Sequence, residues 1–175
     1  MPDNAGLEKH EPTSLKGIAL TASLNKEHRF RNLYGELTFD LLLTAWMDIN
    51  KDAASGVEKM TAEVYQEHLV SNIQDLAQRL KEKRYKAKLV RRTYIPKDNG
   101  KERPLGIPAL EDKIVQRAAT MLLNAMYEQD FLDVSYGYRG GRSAKDAVGD
   151  LTFQVQYGKC GYVVEADIQG FLDPA

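Results

Sequence analysis

Tyr162-Val163-Val164-Glu165-Ala166-Asp167-Ile168-Gln169-Gly170-Phe171-Leu172-Asp173-Pro174-Ala175 closes the sequence with a β-branched run that leads into a carboxylate. Side chains alternate across a strand, so a strand over 161–168 puts Glu165 and Asp167 on one face and Val164, Ala166 and Ile168 on the other. A carboxylate at a strand end, beside a glycine that lets a bulky substrate approach the backbone, is how a Mg²⁺ site for phosphoryl transfer begins. One carboxylate does not hold two metals, so the site reads as half-built. The plain alternative makes Asp167 an edge or turn residue, and Asp173-Pro174 a helix start with Asp as N-cap and Pro at the first helical position.

Upstream of this stretch the charge is unevenly spread. Ten Lys/Arg lie between Lys81 and Pro104 against Glu82, Asp98 and Glu102, a local balance of +7 in a 175-residue chain whose net charge is -1. A basic block inside an otherwise acidic chain is an address for phosphates, although a solvated charged face is the commoner cause of such runs. The single cysteine, Cys160, excludes an internal disulfide and fits a reducing compartment. His10, His28 and His68 have no zinc-ligand spacing with it. No run approaches the roughly 20 apolar residues of a membrane span, and Met-Pro-Asp-Asn is unlike a secretory signal. The expectation is a soluble cytoplasmic protein without a membrane partner.

Periodicity supplies the elements around the block. Residues 1–32 are expected to be a loosely ordered leader, being polar and aperiodic. A helix over about 37–50 carries Leu41, Leu42, Ala45 and Trp46, and a second, capped by Thr61, carries Tyr65, Leu69, Ile73, Leu76 and Leu80. Two strands, 89–96 and 103–107, flank a turn in which Asn99-Gly100 supplies positive φ. A helix over about 109–128, a Gly-rich loop at 136–143, a helix capped by Ser143 that runs to about 157, and the strand 161–168 complete the order. No internal repeat is present.

Two constellations suit a polyphosphate chain. The hairpin places Lys97 at its turn, Arg103 in its return strand and Arg91 and Arg92 at its base, where Arg offers a fork for two oxygens and Lys a mobile charge. An exposed edge kept soluble by lysines is the competing account, and it fits less well the rigid run Arg103-Pro104-Leu105-Gly106-Ile107-Pro108. The second is Ser135-Tyr136-Gly137-Tyr138-Arg139-Gly140-Gly141-Arg142-Ser143, with amides, guanidiniums and stacking rings. Such loops also serve as protein contact surfaces.

The ordered set is more specific than its members. Tyr94-Ile95-Pro96-Lys97, Gly100-Lys101, Arg103 to Pro108, Asp112-Lys113-Ile114-Val115-Gln116, Ser135 to Ala144, and Ala166 to Phe171 closely resemble the reverse transcriptases encoded by group II introns, over about 33–175. Ala53-Ala54-Ser55-Gly56-Val57-Glu58 is similar to that family's opening motif, with Ser55 and Glu58 where Pro and Asp are usual.

The resemblance implies an α+β, right-hand polymerase fold, with 33–160 as fingers and 161–175 as the start of an incomplete palm. It makes Asp167 the first catalytic, metal-binding aspartate and gives the Ile168 carbonyl to the same Mg²⁺, which is held only if the palm is completed. Lys97 and Arg103 would grip the triphosphate of the incoming dNTP, Ile107 would pack near the templating base, and Phe171, followed by Leu172 where a second aromatic is usual, would lie beneath the sugar. Arg91, Arg92, Lys101, Arg139 and Arg142 would contact nucleic acid. The implied partners are an RNA template, intron RNA, a DNA primer and a complementing palm and thumb polypeptide. The expected function is that of an amino-terminal fragment of an RNA-directed DNA polymerase, inactive alone. A non-catalytic RNA-binding module and a decayed remnant are the alternatives.

Overall fold

The computed structural model describes residues 13–96, 100, 102–159 and 161–168. Among them the secondary structure is mixed: helices and one two-stranded antiparallel sheet, an α+β arrangement. Phe39–Asp48 forms α2, with the Thr38 hydroxyl accepting from the Leu41 amide at 3.4 Å as an N-cap. Its expected stripe, Leu41, Leu42, Ala45 and Trp46, is buried. The second expected helix is two helices, α3 (Ala62–Glu67) and α4 (Leu69–Lys81), broken at His68 where φ is -125° and ψ 35°. Asn72 Nδ2 donates to the Tyr65 carbonyl across the break at 2.9 Å, so a carbonyl near the end of α3 gains a partner. The stripe survives the break: Tyr65, Ile73, Leu76 and Leu80 are buried and Leu69 packs at the margin.

α5 (Leu110–Tyr127) organises the core. Leu110, Ile114, Ala118 and Leu122 recur at steps of four and bury one ridge, against which α2 packs. Arg117 pairs with Asp48 of α2, and Arg79 of α4 reaches Glu111 at 2.7 Å while holding Asp75 at 2.6 Å. A further helix, α1 (Thr13–Leu24), also packs on α5. Part of the segment expected to be a loose leader is therefore ordered. Leu15, Ile18 and Ala22 sit at helical steps of three and four, and that short stripe finds a buried ridge to cover.

The chain divides into two compact units, Met1–Asp130 and Phe131–Ala175, and the division falls inside the segment expected as fingers. In the second unit, turns lead to α6 (Ala144–Tyr157), which Ser143 caps. The Ser143 amide donates to Asp146 Oδ2 at 2.8 Å and the Asp146 amide to Ser143 Oγ at 3.2 Å, a reciprocal cap. α6 buries no residue. Residues 161–168 correct a second expectation: they form no strand, and each is exposed. A strand exists through its ladder, and no described segment pairs with this one. No helix among the described residues is long and apolar enough to cross a membrane.

The linker between α2 and α3 packs at Gly56. A Cβ there would lie 2.7 Å from the Pro108 carbonyl oxygen and from Ala109 Cα, backbone atoms that cannot swing away. Gly56→Ala is therefore expected to cost about 1–3 kcal/mol, as a lower urea midpoint at unchanged slope. An unshifted midpoint would mean that the linker does not rest on the 108–109 backbone. The Tyr65 hydroxyl is buried without a partner among the described residues, and burial, followed by the Glu111 carboxylate, pushes its phenol well above the ordinary range. Removing an unsatisfied buried group relieves its desolvation, so Tyr65→Phe is expected to be neutral or to raise stability by up to about 1 kcal/mol. A clear loss would reveal a bound partner for the hydroxyl.

Candidate nucleic-acid interface

The basic block becomes a ribbon. Arg91–Pro96 (β1) pairs with Glu102–Ile107 (β2) in the register Arg91 to Ile107, Thr93 to Leu105 and Ile95 to Arg103. Gly100 takes φ 75° in the turn, the conformation for which its lack of a Cβ was expected to be used. Alternation sorts the side chains. Arg91, Thr93, Ile95, Arg103, Leu105 and Ile107 share one face, and Arg92, Tyr94, Pro96, Glu102 and Pro104 share the other. Arg91 and Arg103 thus lie on one face about four residues apart along the ribbon, roughly 13 Å. Ile107 sits opposite Arg91 and is half-buried, while Arg92 points the other way.

Ion pairing separates structural cations from spare ones. Arg84 pairs with Glu82 and Lys88 with Glu58, whereas no carboxylate among the described residues pairs with the exposed Arg91, Arg92 or Arg103. Within the basic block, the spare arginines are on the ribbon. Lys113 Nζ donates to the Ala54 carbonyl at 2.6 Å, and burial, then the nearby Arg91 guanidinium, push its ammonium below the ordinary value. Arg91 therefore adds to a positive field at the ribbon base. Beside it lies a cleft of about 450 Å³ lined by Glu58, Tyr65, Arg79, Lys88, Leu110 and Glu111, whose cations are already paired. Lys97 and Lys101 lie outside the described residues, as does Phe171.

The second constellation is internally engaged. Arg139 donates to the carbonyls of Leu132 and Ser135 at 2.8 and 2.9 Å and lies over the Phe131 ring. Arg142 holds the Asp133 carbonyl and carboxylate and lies over Tyr136. Both guanidiniums tie down the 131–136 turn. Tyr138, by contrast, is fully exposed at φ 57°. Asp167 Oδ1 accepts from the Ile168 amide at 2.9 Å, and no cluster of three His, Cys, Asp or Glu among the described residues is placed to hold a metal.

Sequence reasoning missed two residues that set the ribbon in place, Asp112 and Tyr85. The Tyr85 hydroxyl donates to Asp112 Oδ1, and the Lys88 amide to Asp112 Oδ2 at 3.0 Å. An acid in the first turn of a helix reads as a dipole partner, and nothing in its spacing announces burial.

No protein-family model matches the chain. Protein YkfC of Escherichia coli strain K12 is 41% identical over 123 residues, which cover 67% of this chain and 32% of that protein. Group II intron-encoded protein LtrA of Lactococcus lactis subsp. cremoris is 36% identical over 164 residues, 91% of this chain and 26% of that protein. The chain belongs to the group II intron-encoded reverse transcriptase and maturase family. The 91 kDa protein in the cob intron of Schizosaccharomyces pombe is 29% identical over 145 residues, 82% of this chain and 18% of that protein. The chain spans about a third or less of the length of these curated relatives. A match over 91% of the chain takes in the whole ribbon, and with it the spare arginines.

The Arg139 contacts make a local prediction. Arg139→Ala should accelerate hydrogen exchange of the Ser135 amide, which donates to the Leu132 carbonyl at 3.0 Å, by about tenfold. Unchanged exchange would mean that the turn holds itself and leaves the guanidinium for another purpose.

Proposed function

We propose that this chain carries the fingers and the opening of the palm of a right-handed RNA-directed DNA polymerase, and that its ribbon grips RNA template and incoming dNTP. The carrying observation is the one-faced set of Arg91, Arg103 and Ile107 on an exposed ribbon whose arginines lack carboxylate partners among the described residues. Unpaired guanidiniums can bind phosphate bidentately without first breaking an ion pair, and the apolar side chains between them can meet a base or sugar. Intron RNA and a DNA primer are the partners that this reading implies. Lys97 and Phe171 join the dNTP site, Lys101 and Arg92 the nucleic-acid contacts, and Asp167 with the Ile168 carbonyl the first metal ligands.

Mg²⁺ asks for about six oxygens in octahedral order. Asp167 and Ile168 offer too few, on an exposed segment, and one Asp167 oxygen already accepts an amide. These residues alone do not make the metal site. Further oxygen ligands would have to come from other palm residues, for which the longer relatives have room.

Two measurements test the reading. Single-stranded RNA affinity, followed by anisotropy across a KCl series, should fall with salt, and Arg91→Ala and Arg103→Ala should each flatten the log–log slope by roughly 0.7. If both substitutions together leave the slope unchanged, the ribbon is not the interface. Primer extension by the 175-residue polypeptide on poly(rA)/oligo(dT) with Mg²⁺ should stay at background, and adding a palm and thumb polypeptide should yield extension that Asp167→Ala abolishes. Extension that survives Asp167→Ala would remove that residue from the site.

A further inference from the structure

We infer that Asp112 is a positioning residue that aims the cationic ribbon, an inference that rests on the ribbon being the nucleic-acid interface. Asp112 is 4% exposed, and among the described residues no cation pairs with it. Its partners are the Tyr85 hydroxyl and the Lys88 amide, both in the irregular stretch between α4 and β1. Burying a carboxylate is costly unless its oxygens are satisfied, so a buried acid spent on two neutral donors in an irregular segment has a specific mechanical consequence. It fixes where that segment lies.

The placement makes that consequence large. Lys88 is three residues before Arg91, the first residue of β1, and Asp112 is five residues after Ile107, the last of β2. Asp112 therefore joins the root of one strand to the helix into which the other strand runs. An isolated two-stranded hairpin is marginal in water, and nearly all of this one is exposed, so its direction is decided at its root. Lys88 Nζ pairs with Glu58, and Val90 packs on Gly106, where a Cβ would meet Val90 Cγ2 at 3.1 Å. These contacts grip the same short stretch. Burial, then the hydrogen bond to Asp112, push the Tyr85 phenol well above its ordinary range, which keeps it a donor.

Loosening the root leaves every ribbon cation in the chain but adds the cost of ordering them on a ligand. The log–log salt slope counts phosphate contacts and should not change, whereas affinity should drop at every salt concentration. That signature differs from losing an arginine. Asp112→Ala removes both links. Asp112→Asn can accept from the Lys88 amide and donate to the Tyr85 oxygen, keeping both without charge.

The experiment uses spin labels at Tyr94→Cys on the ribbon and Gln74→Cys on α4, in a Cys160→Ser background, with pulsed distance measurement and single-stranded RNA titrations on the same proteins. The expected result is a broadened distance distribution for Asp112→Ala, with RNA affinity down about tenfold along a parallel salt line, the scale of one lost charge-assisted hydrogen bond. Asp112→Asn should restore both. If Asp112→Ala does not fold, Tyr85→Phe carries the test, because it removes one link and leaves the carboxylate. Distributions as narrow as wild type in Asp112→Ala or Tyr85→Phe overturn the inference. So does broadening without any change in affinity while Arg91→Ala flattens the slope. Broadening together with arginine substitutions that leave the slope unchanged would instead overturn the ribbon as interface and leave the hold of Asp112 on it standing.

Discussion

Burial of the Leu110, Ile114, Ala118 and Leu122 ridge is the constraint on which the first unit depends, because α1 and α2 both find their apolar partner there. The same helix carries, in its first turn, Glu111 for Arg79 and Asp112 for the segment that leads into β1. Core and ribbon are therefore one mechanical system. Packing against α5 supplies the hydrophobic stability, and the polar groups at its beginning convert that stability into a defined place for arginines that have no packing of their own.

The division of labour among the cations follows from that arrangement. Arg79, Lys88, Arg117, Arg139 and Arg142 are held by carboxylates or carbonyls and act as ties. Removing either partner of a partly buried pair such as Arg79 with Glu111 strands the other in a poor solvent, which is costly whatever the intact pair contributes. Arg91, Arg92 and Arg103 are exposed and have no carboxylate partner among the described residues, so binding a phosphate there breaks no ion pair that the fold supplies. Net charge alone hides this sorting, which depends on which acids the fold brings near.

Much of this could be read from the residues. The α2 and α4 stripes, the Thr61 and Ser143 caps, the Gly100 turn and the ribbon were legible because each is a local pattern with a local cause. α1 was not, since Leu15, Ile18 and Ala22 are a weak stripe in a polar stretch and order only through a ridge some hundred residues away in sequence. The strand over 161–168 was misread because β propensity records what a pleated surface would accept, and a ladder needs a neighbour. At the interface, Arg91 and Arg103 could be named but not their shared face, which is fixed by register. The link between Tyr85 and Asp112 was invisible, for a hydrogen bond across 27 residues leaves no periodic mark.

The order in which the chain is made gives the α5 ridge a temporal meaning. Leu41, Leu42 and Trp46 leave the ribosome about sixty residues before the helix that covers them, an interval of roughly 3 to 12 s at usual synthesis rates. Until then α3 and α4 give that tryptophan and those leucines only part of their shelter, and α1 waits longer still. Final collapse is a late event, set by one segment arriving, and the ribbon, which lies immediately upstream of that segment, acquires its anchored root in the same step.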